Sequence, residues 1–170
     1  SIVSTARSSG ATSLFLTADS AGALPLLAQV LPQAGLSPSS VQYVGLTRWD
    51  IPPATMNLPG VQGGWFALPD PGLNNQFQSR FTAAYGALPN PIAGLAYDGI
   101  AAIGALVKSG RLDPFSAAAL TQGAGFAGVN GIFRLRADGT NVRGLAIAQV
   151  QNGTYMIIDP APRSFGGVGL

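Results

Sequence analysis

The chain has 170 residues, of which 47% are hydrophobic and only 9% charged, and it carries a formal net charge of +2. That is enough apolar material for a buried core and rules out a disordered chain. There is no Cys, no His and no Glu, so a zinc, haem or iron–sulfur site is not expected, and a Ser–His–Asp or Cys–His triad cannot be assembled from these residues. The basic residues, eight Arg and Lys108, are scattered, and without a basic cluster no nucleic-acid partner is expected. The seven acids are all Asp and share no motif, so the composition predicts a protein that is not an enzyme and needs no cofactor. Such low charge also predicts that part of the surface is covered by something other than water.

In chain order, residues 1–10 read as the end of a helix closing at Gly10. Ser13–Thr17 is a short apolar run suited to a buried parallel strand. Asp19 and Ser20 are placed to cap a helix over Ala21–Ala34, whose Leu24, Leu27, Val30 and Leu31 share a face and which ends at Gly35. Val41–Gly45 and Gly64–Leu68 are two further strands, separated by a long proline-bearing loop over residues 47–60. Strand, helix, strand, loop, strand at this spacing indicates βαβ units and a parallel sheet. A helix follows over Leu73–Tyr85, with Phe77, Phe81 and Tyr85 four residues apart. Pro89 and Pro91 break the chain before a second helix over Ile92–Lys108. Its apolar stretch is too short to cross a membrane, and Asp98 interrupts it. A short helix is expected over residues 114–121.

The last third changes character. Ile132–Arg136, Val142–Gln151 and Thr154–Asp159 are separated by Asp138-Gly139 and Asn152-Gly153, dipeptides that favour tight hairpin turns. They predict an antiparallel meander of three strands, followed by a flexible tail over residues 166–170. The spacing Gly125-x-x-Gly128-x-x-Gly131 resembles a phosphate loop but lacks Lys and does not join a strand to a helix, so turning into the hairpin is its expected role.

The order of several motifs resembles the C-terminal half of type I periplasmic binding proteins, a family that includes leucine/isoleucine/valine-binding proteins and penicillin-binding-protein activators. The motifs are Leu14–Ser20, Val44–Asp50, Pro59–Pro69, the Phe77, Phe81, Tyr85, Gly86, Pro89 series, Leu95–Asp98, Gly125–Arg134, Asp138-Gly139, Arg143–Ile147 and Asp159–Phe165. The resemblance implies an α/β fold, a parallel sheet with flanking helices plus a C-terminal antiparallel β meander. Residues 1–165 would form the C-terminal half of a bilobal protein that holds its ligand in a cleft. The other half, roughly 150–200 residues by ordinary domain size, is expected outside this sequence.

The resemblance also implies an extracytoplasmic solute-binding module of the ABC-transporter type. Its expected partners are a small polar or amino-acid-like ligand and a membrane permease, and its expected compartment is the periplasm. The alternative is an outer-membrane lipoprotein, anchored through an upstream Cys, that activates a peptidoglycan synthase by protein–protein contact. Faces left open by the absent half predict a homodimer.

Ligands of open α/β sheets bind beyond the carboxyl ends of the strands. That points to Ala18, Asp19 and Ser20 after the first strand, and to Thr47, Arg48 and Trp49 after the second. In amino-acid-binding members the resemblance places an aromatic residue in the first loop and an acid in the second. This sequence has Ala18-Asp19 and Thr47-Arg48 there. Arg48 suits an anionic group or a partner carboxylate; the alternative is an arginine that is solvated or pairs with Asp50 on the surface. Trp49 either stacks on a ligand or roofs its loop. Trp65 and Phe66 read as core. Tyr97-Asp98 reads as a buried tyrosine beside a tie between helix and loop.

Overall fold

A computed structural model describes residues 2–165; the tail expected over 166–170 lies outside the described residues. The elements in chain order are α1 (Ile2–Ser8), β1 (Ser13–Leu16), α2 (Leu24–Gln33), β2 (Gln42–Gly45), two 3₁₀ turns (Pro53–Asn57 and Pro59–Val61) and β3 (Trp65–Leu68). They continue with α3 (Pro71–Tyr85), α4 (Ala93–Lys108), α5 (Ala117–Leu120), β4 (Phe126–Gly128), β5 (Gly131–Leu135), β6 (Asn141–Arg143), β7 (Ala146–Gln151) and β8 (Thr154–Asp159). The chain forms two compact units. Unit 1 comprises Ser1–Leu68 with Ile147–Asp159, and unit 2 comprises Pro69–Ala146 with Pro160–Leu170.

Unit 1 is built on a five-stranded sheet in the order β1-β2-β3-β7-β8. The first three strands run parallel, with Leu16 opposite Gly45 and Gly45 opposite Phe66, as the βαβ spacing requires. Helix α2 buries Leu24, Ala28 and Leu31, an i, i+4, i+7 stripe. Pro32 lies inside this helix and has no N–H to offer the carbonyl of Ala28. The chain at Gly60 presses against that carbonyl, and a Cβ there would come within 1.7 Å of its oxygen. Tyr43 is buried and donates its hydroxyl to the Leu36 carbonyl; burial pushes its pKa up.

Helix α2 begins later than its sequence suggests. Its N-cap is Ala23, which makes no side-chain cap, in place of Asp19 or Ser20. The reason is a local turn: the Asp19 carbonyl accepts the N–H groups of both Gly22 and Leu24, which holds residues 19–23 out of the helix.

In unit 2, Asp70 caps α3 by accepting from Leu73 N–H at 3.0 Å. A small core of Leu106, Ala119, Phe126 and Phe133 joins α4 and α5 to the antiparallel sheet β4-β5-β6. Asp98 of α4 is buried, and its carboxylate accepts the backbone N–H of Val129 at 2.6 Å and of Asn130 at 3.2 Å. The tie expected at Tyr97-Asp98 is therefore made by the aspartate. Tyr97 is half exposed and leans on Phe77 at 5.2 Å between ring centroids, which corrects the expectation of a buried tyrosine. The Asn130 side chain, also buried, accepts from Asn74 at 3.0 Å, tying the same turn to α3. Gly128 lies directly against the Asp98 carboxylate, and the N–H groups of Val129 and Asn130 that follow it are already taken by that carboxylate.

The antiparallel strands are present but do not form one meander. The stretch read as Val142–Gln151 breaks at Gly144: β6 stays with β5, and β7 joins the five-stranded sheet beside β3. Gly144 N–H donates to the Ile132 carbonyl at 2.9 Å, which ends the β5–β6 register. In unit 1, Val150 exchanges backbone hydrogen bonds of 2.8 and 2.9 Å with Gly63 and Gly64. The β7–β8 turn has positive φ at both Asn152 (51°) and Gly153 (76°), the twist a two-residue hairpin needs.

Candidate functional site

The parallel register of β1 and β2 brings their following loops side by side. Leu46 N–H donates to the Leu16 carbonyl at 2.9 Å, and the Thr47 hydroxyl reaches the Ala18 carbonyl at 3.4 Å. Five of the six residues picked out in the sequence thus sit on the rim of one loop pair in unit 1. Ala18 and Ser20 are half-buried and Asp19 is exposed, its carboxylate without a hydrogen bond or ion pair among the described residues. The Ser20 hydroxyl oxygen is buried and has no hydrogen-bond partner among the described residues.

Arg48 is held by Asp50. Its Nε donates to Oδ1 at 2.9 Å, and its Nη2 donates to Oδ2, a two-pronged pair whose planar geometry suits guanidinium and carboxylate. The cation is therefore already neutralised within its own loop. Of the three charges at the strand ends, the Asp19 carboxylate is the one left open. Tyr155, on β8, belongs to the same neighbourhood. Burial pushes its pKa up, the Asp50 carboxylate adds to this, and the Arg48 guanidinium partly offsets it. The sequence reading passed over Tyr155 because it lies more than a hundred residues from Arg48, on a hairpin strand that only the sheet order brings near.

Trp49 behaves differently from its neighbours. It is fully buried, its ring lying against Gly45 and Gly64 and tilted onto Phe66 at 6.1 Å between centroids. A Cβ at Gly45 would come within 2.4 Å of the indole, and one at Gly64 within 2.5 Å. Its ring is thus packed into the unit and not presented for stacking on a ligand; its role is to pin the loop that carries Thr47, Arg48 and Asp50. Phe66 is core as expected, packed edge-on to Tyr155 at 5.9 Å. Trp65 is on the opposite side of the strand and partly exposed, since successive strand residues alternate in direction.

Among the described residues, no group of three potential ligands could hold a metal ion, and no helix is long and apolar enough to cross a membrane.

A family model described as "Periplasmic binding protein" matches residues 1–154, and the chain belongs to that family. Solved structures agree in fold. A putative branched-chain amino acid ABC transporter protein from Rhodospirillum rubrum is similar at 21% identity and a TM-score of 0.73, over 92% of this chain and 47% of that one. A branched chain amino acid ABC transporter periplasmic ligand-binding protein from Burkholderia xenovorans is 20% identical with a TM-score of 0.66, over 98% and 48%. A solute-binding protein from R. palustris in complex with benzoate is 20% identical with a TM-score of 0.60, over 98% and 47%. The chain spans about half the length of these structures. Comparison with curated proteins gives no match.

Proposed function

We propose that unit 1 contributes the Ala18–Ser20 and Thr47–Asp50 loops to a small-molecule site, in a solute-binding protein of the ABC-transporter type. The observation that carries this reading is the family match over residues 1–154, combined with the tie that joins the two loops at the carboxyl ends of adjacent parallel strands, where ligands of such sheets bind. On this reading the protein works outside the cytoplasm, as the family match supports, and a membrane permease is its partner.

The charge pattern favours a particular ligand end. With Arg48 committed to Asp50, the exposed Asp19 carboxylate is the group free to meet a ligand, and the buried, unpartnered Ser20 hydroxyl is its neighbour in the loop. That carboxylate suits a donor such as an ammonium group, and so a small polar or amino-acid-like molecule. A thermal-shift screen against amino acids and small aromatic acids tests this. The melting temperature is expected to rise with an ammonium-bearing ligand, by an amount equivalent to about 2.7 kcal/mol at a hundredfold excess over Kd. D19N and S20A should both lower the shift. A flat screen, or a shift that both variants leave intact, would remove these loops from the site.

A further inference from the structure

Two asparagines of this chain precede a glycine, in Asn130-Gly131 and Asn152-Gly153, and the structure gives them opposite surroundings. A glycine has no side chain to shield its amide nitrogen, so that nitrogen can reach the carboxamide carbon of the asparagine before it. The other asparagines precede a proline, which has no N–H, or a residue with a side chain.

Asn130 is held in place. Its side chain is buried, its Oδ1 accepts from Asn74 at 3.0 Å, and its N–H donates to Asp98 at 3.2 Å. Its Nδ2 packs against Gly94, 2.5 Å from where a Cβ would stand. Bringing its carboxamide onto the Gly131 nitrogen means breaking these contacts. Asn152 is exposed at the tip of the β7–β8 turn, and its carboxamide makes no hydrogen bond among the described residues. The Gly153 N–H makes no backbone hydrogen bond among them either. Glycine is required at 153, because φ is 76° and a Cβ would come within 2.3 Å of Asn57 Oδ1, so the fold itself keeps the reactive pair together.

We propose that Asn152 is a site of spontaneous deamidation, a slow and irreversible modification of the β7–β8 hairpin. The Gly153 nitrogen gives up its proton and bonds to Asn152 Cγ; the Cγ–Nδ2 bond breaks and ammonia leaves with that proton, closing a five-membered imide. Water then opens the imide at Cγ to give aspartate, or at the main-chain carbonyl to give isoaspartate. Isoaspartate lengthens the backbone by one atom inside a two-residue turn whose geometry sets the strand register. Val150, two residues earlier, bonds to Gly63 and Gly64 ahead of β3. The turn therefore lies at the end of the sheet opposite the candidate loops, and the inference is independent of the function proposed for them.

Peptide mapping by mass spectrometry tests the proposal, on the folded chain held in mildly alkaline buffer and on a parallel sample in urea. In urea both asparagine–glycine pairs should convert at similar rates. In the folded chain Asn152 should convert at least about tenfold faster than Asn130, whose reaction waits on a local opening that breaks its hydrogen bonds. The separated isoaspartate form should melt below N152D, which carries the same new charge on a normal backbone. The proposal is overturned if Asn152 stays intact in the folded chain while the urea sample converts, or if both pairs convert equally in the folded chain. Equal melting of the isoaspartate form and N152D would overturn the effect on the hairpin.

Discussion

The two units of this chain use their acidic residues in opposite ways. Unit 1 spends Asp50 on a cation, Arg48, in the loop after β2. Unit 2 contains seven of the nine basic residues and four of the seven acids, yet three of those acids accept from backbone N–H groups instead. Its carboxylates fasten turns and a helix end, and its arginines are left for other partners or for aromatic rings, as with Arg134 over Phe165 and Arg143 over Phe133. Unit 1 correspondingly relies on packing, with Trp49, Tyr43 and Phe66 among its fully buried side chains. A low-charge sequence can thus hold one region mainly by aromatic burial and another by a few carboxylates bonded to the main chain.

The contrast is open to direct attack. The largest effect is expected from W49A, which empties the space enclosed by Gly45, Gly64 and Phe66 and should cost about 3–5 kcal/mol by urea denaturation. A loss well under 1 kcal/mol would mean the indole is not what holds unit 1. Next comes D98A, which strands the buried N–H groups of Val129 and Asn130 and should cost about 2–3 kcal/mol. The isosteric D98N keeps one acceptor and should recover part of that loss; full retention of stability in D98A would separate unit 2 from its carboxylate.

The smallest effects lie at the two ends of the pH scale. Tyr43 and Tyr155 have pKa values raised above the ordinary 10.0, in both by burial first. Their contribution is complete below pH 10 and is lost as pH rises through the raised values, because the unfolded chain ionises first. Asp138, exposed at the β5–β6 turn, is held below the ordinary 3.8, chiefly by its hydrogen bonds from the Thr140 hydroxyl and N–H. Its contribution is present above that value and disappears as pH falls through the lowered one. Melting temperatures of Y155F and D138N across pH should flatten the alkaline and acid limbs respectively. If either substitution leaves its limb unchanged, the residue is not its source.

Much of this architecture was legible in the sequence, because hydrophobic runs and punctuation report local structure directly. The three parallel strands, α3, α4 and the Asn152-Gly153 turn all fall where periodicity and turn chemistry put them. The boundaries that moved did so for tertiary reasons. A backbone turn closed by the Asp19 carbonyl delays α2, and the sheet order splits one apparent strand at Gly144. The candidate loops were legible from the rule about strand ends, whereas the fates of individual side chains were not. No pattern in Leu46–Asp50 distinguishes a tryptophan roofing a ligand from one driven into the core, since the two glycines that receive it are far apart in sequence, one ending β2 and the other preceding β3. Tyr155 was invisible for a similar reason.

Trp49 gives the loop after β2 the character of a hinge pin with replaceable fittings. Under the proposed function, positions 47, 48 and 50 are the ones to vary in changing what the loop would recognise, with 45, 49 and 64 left untouched because the indole fills the space against both glycines.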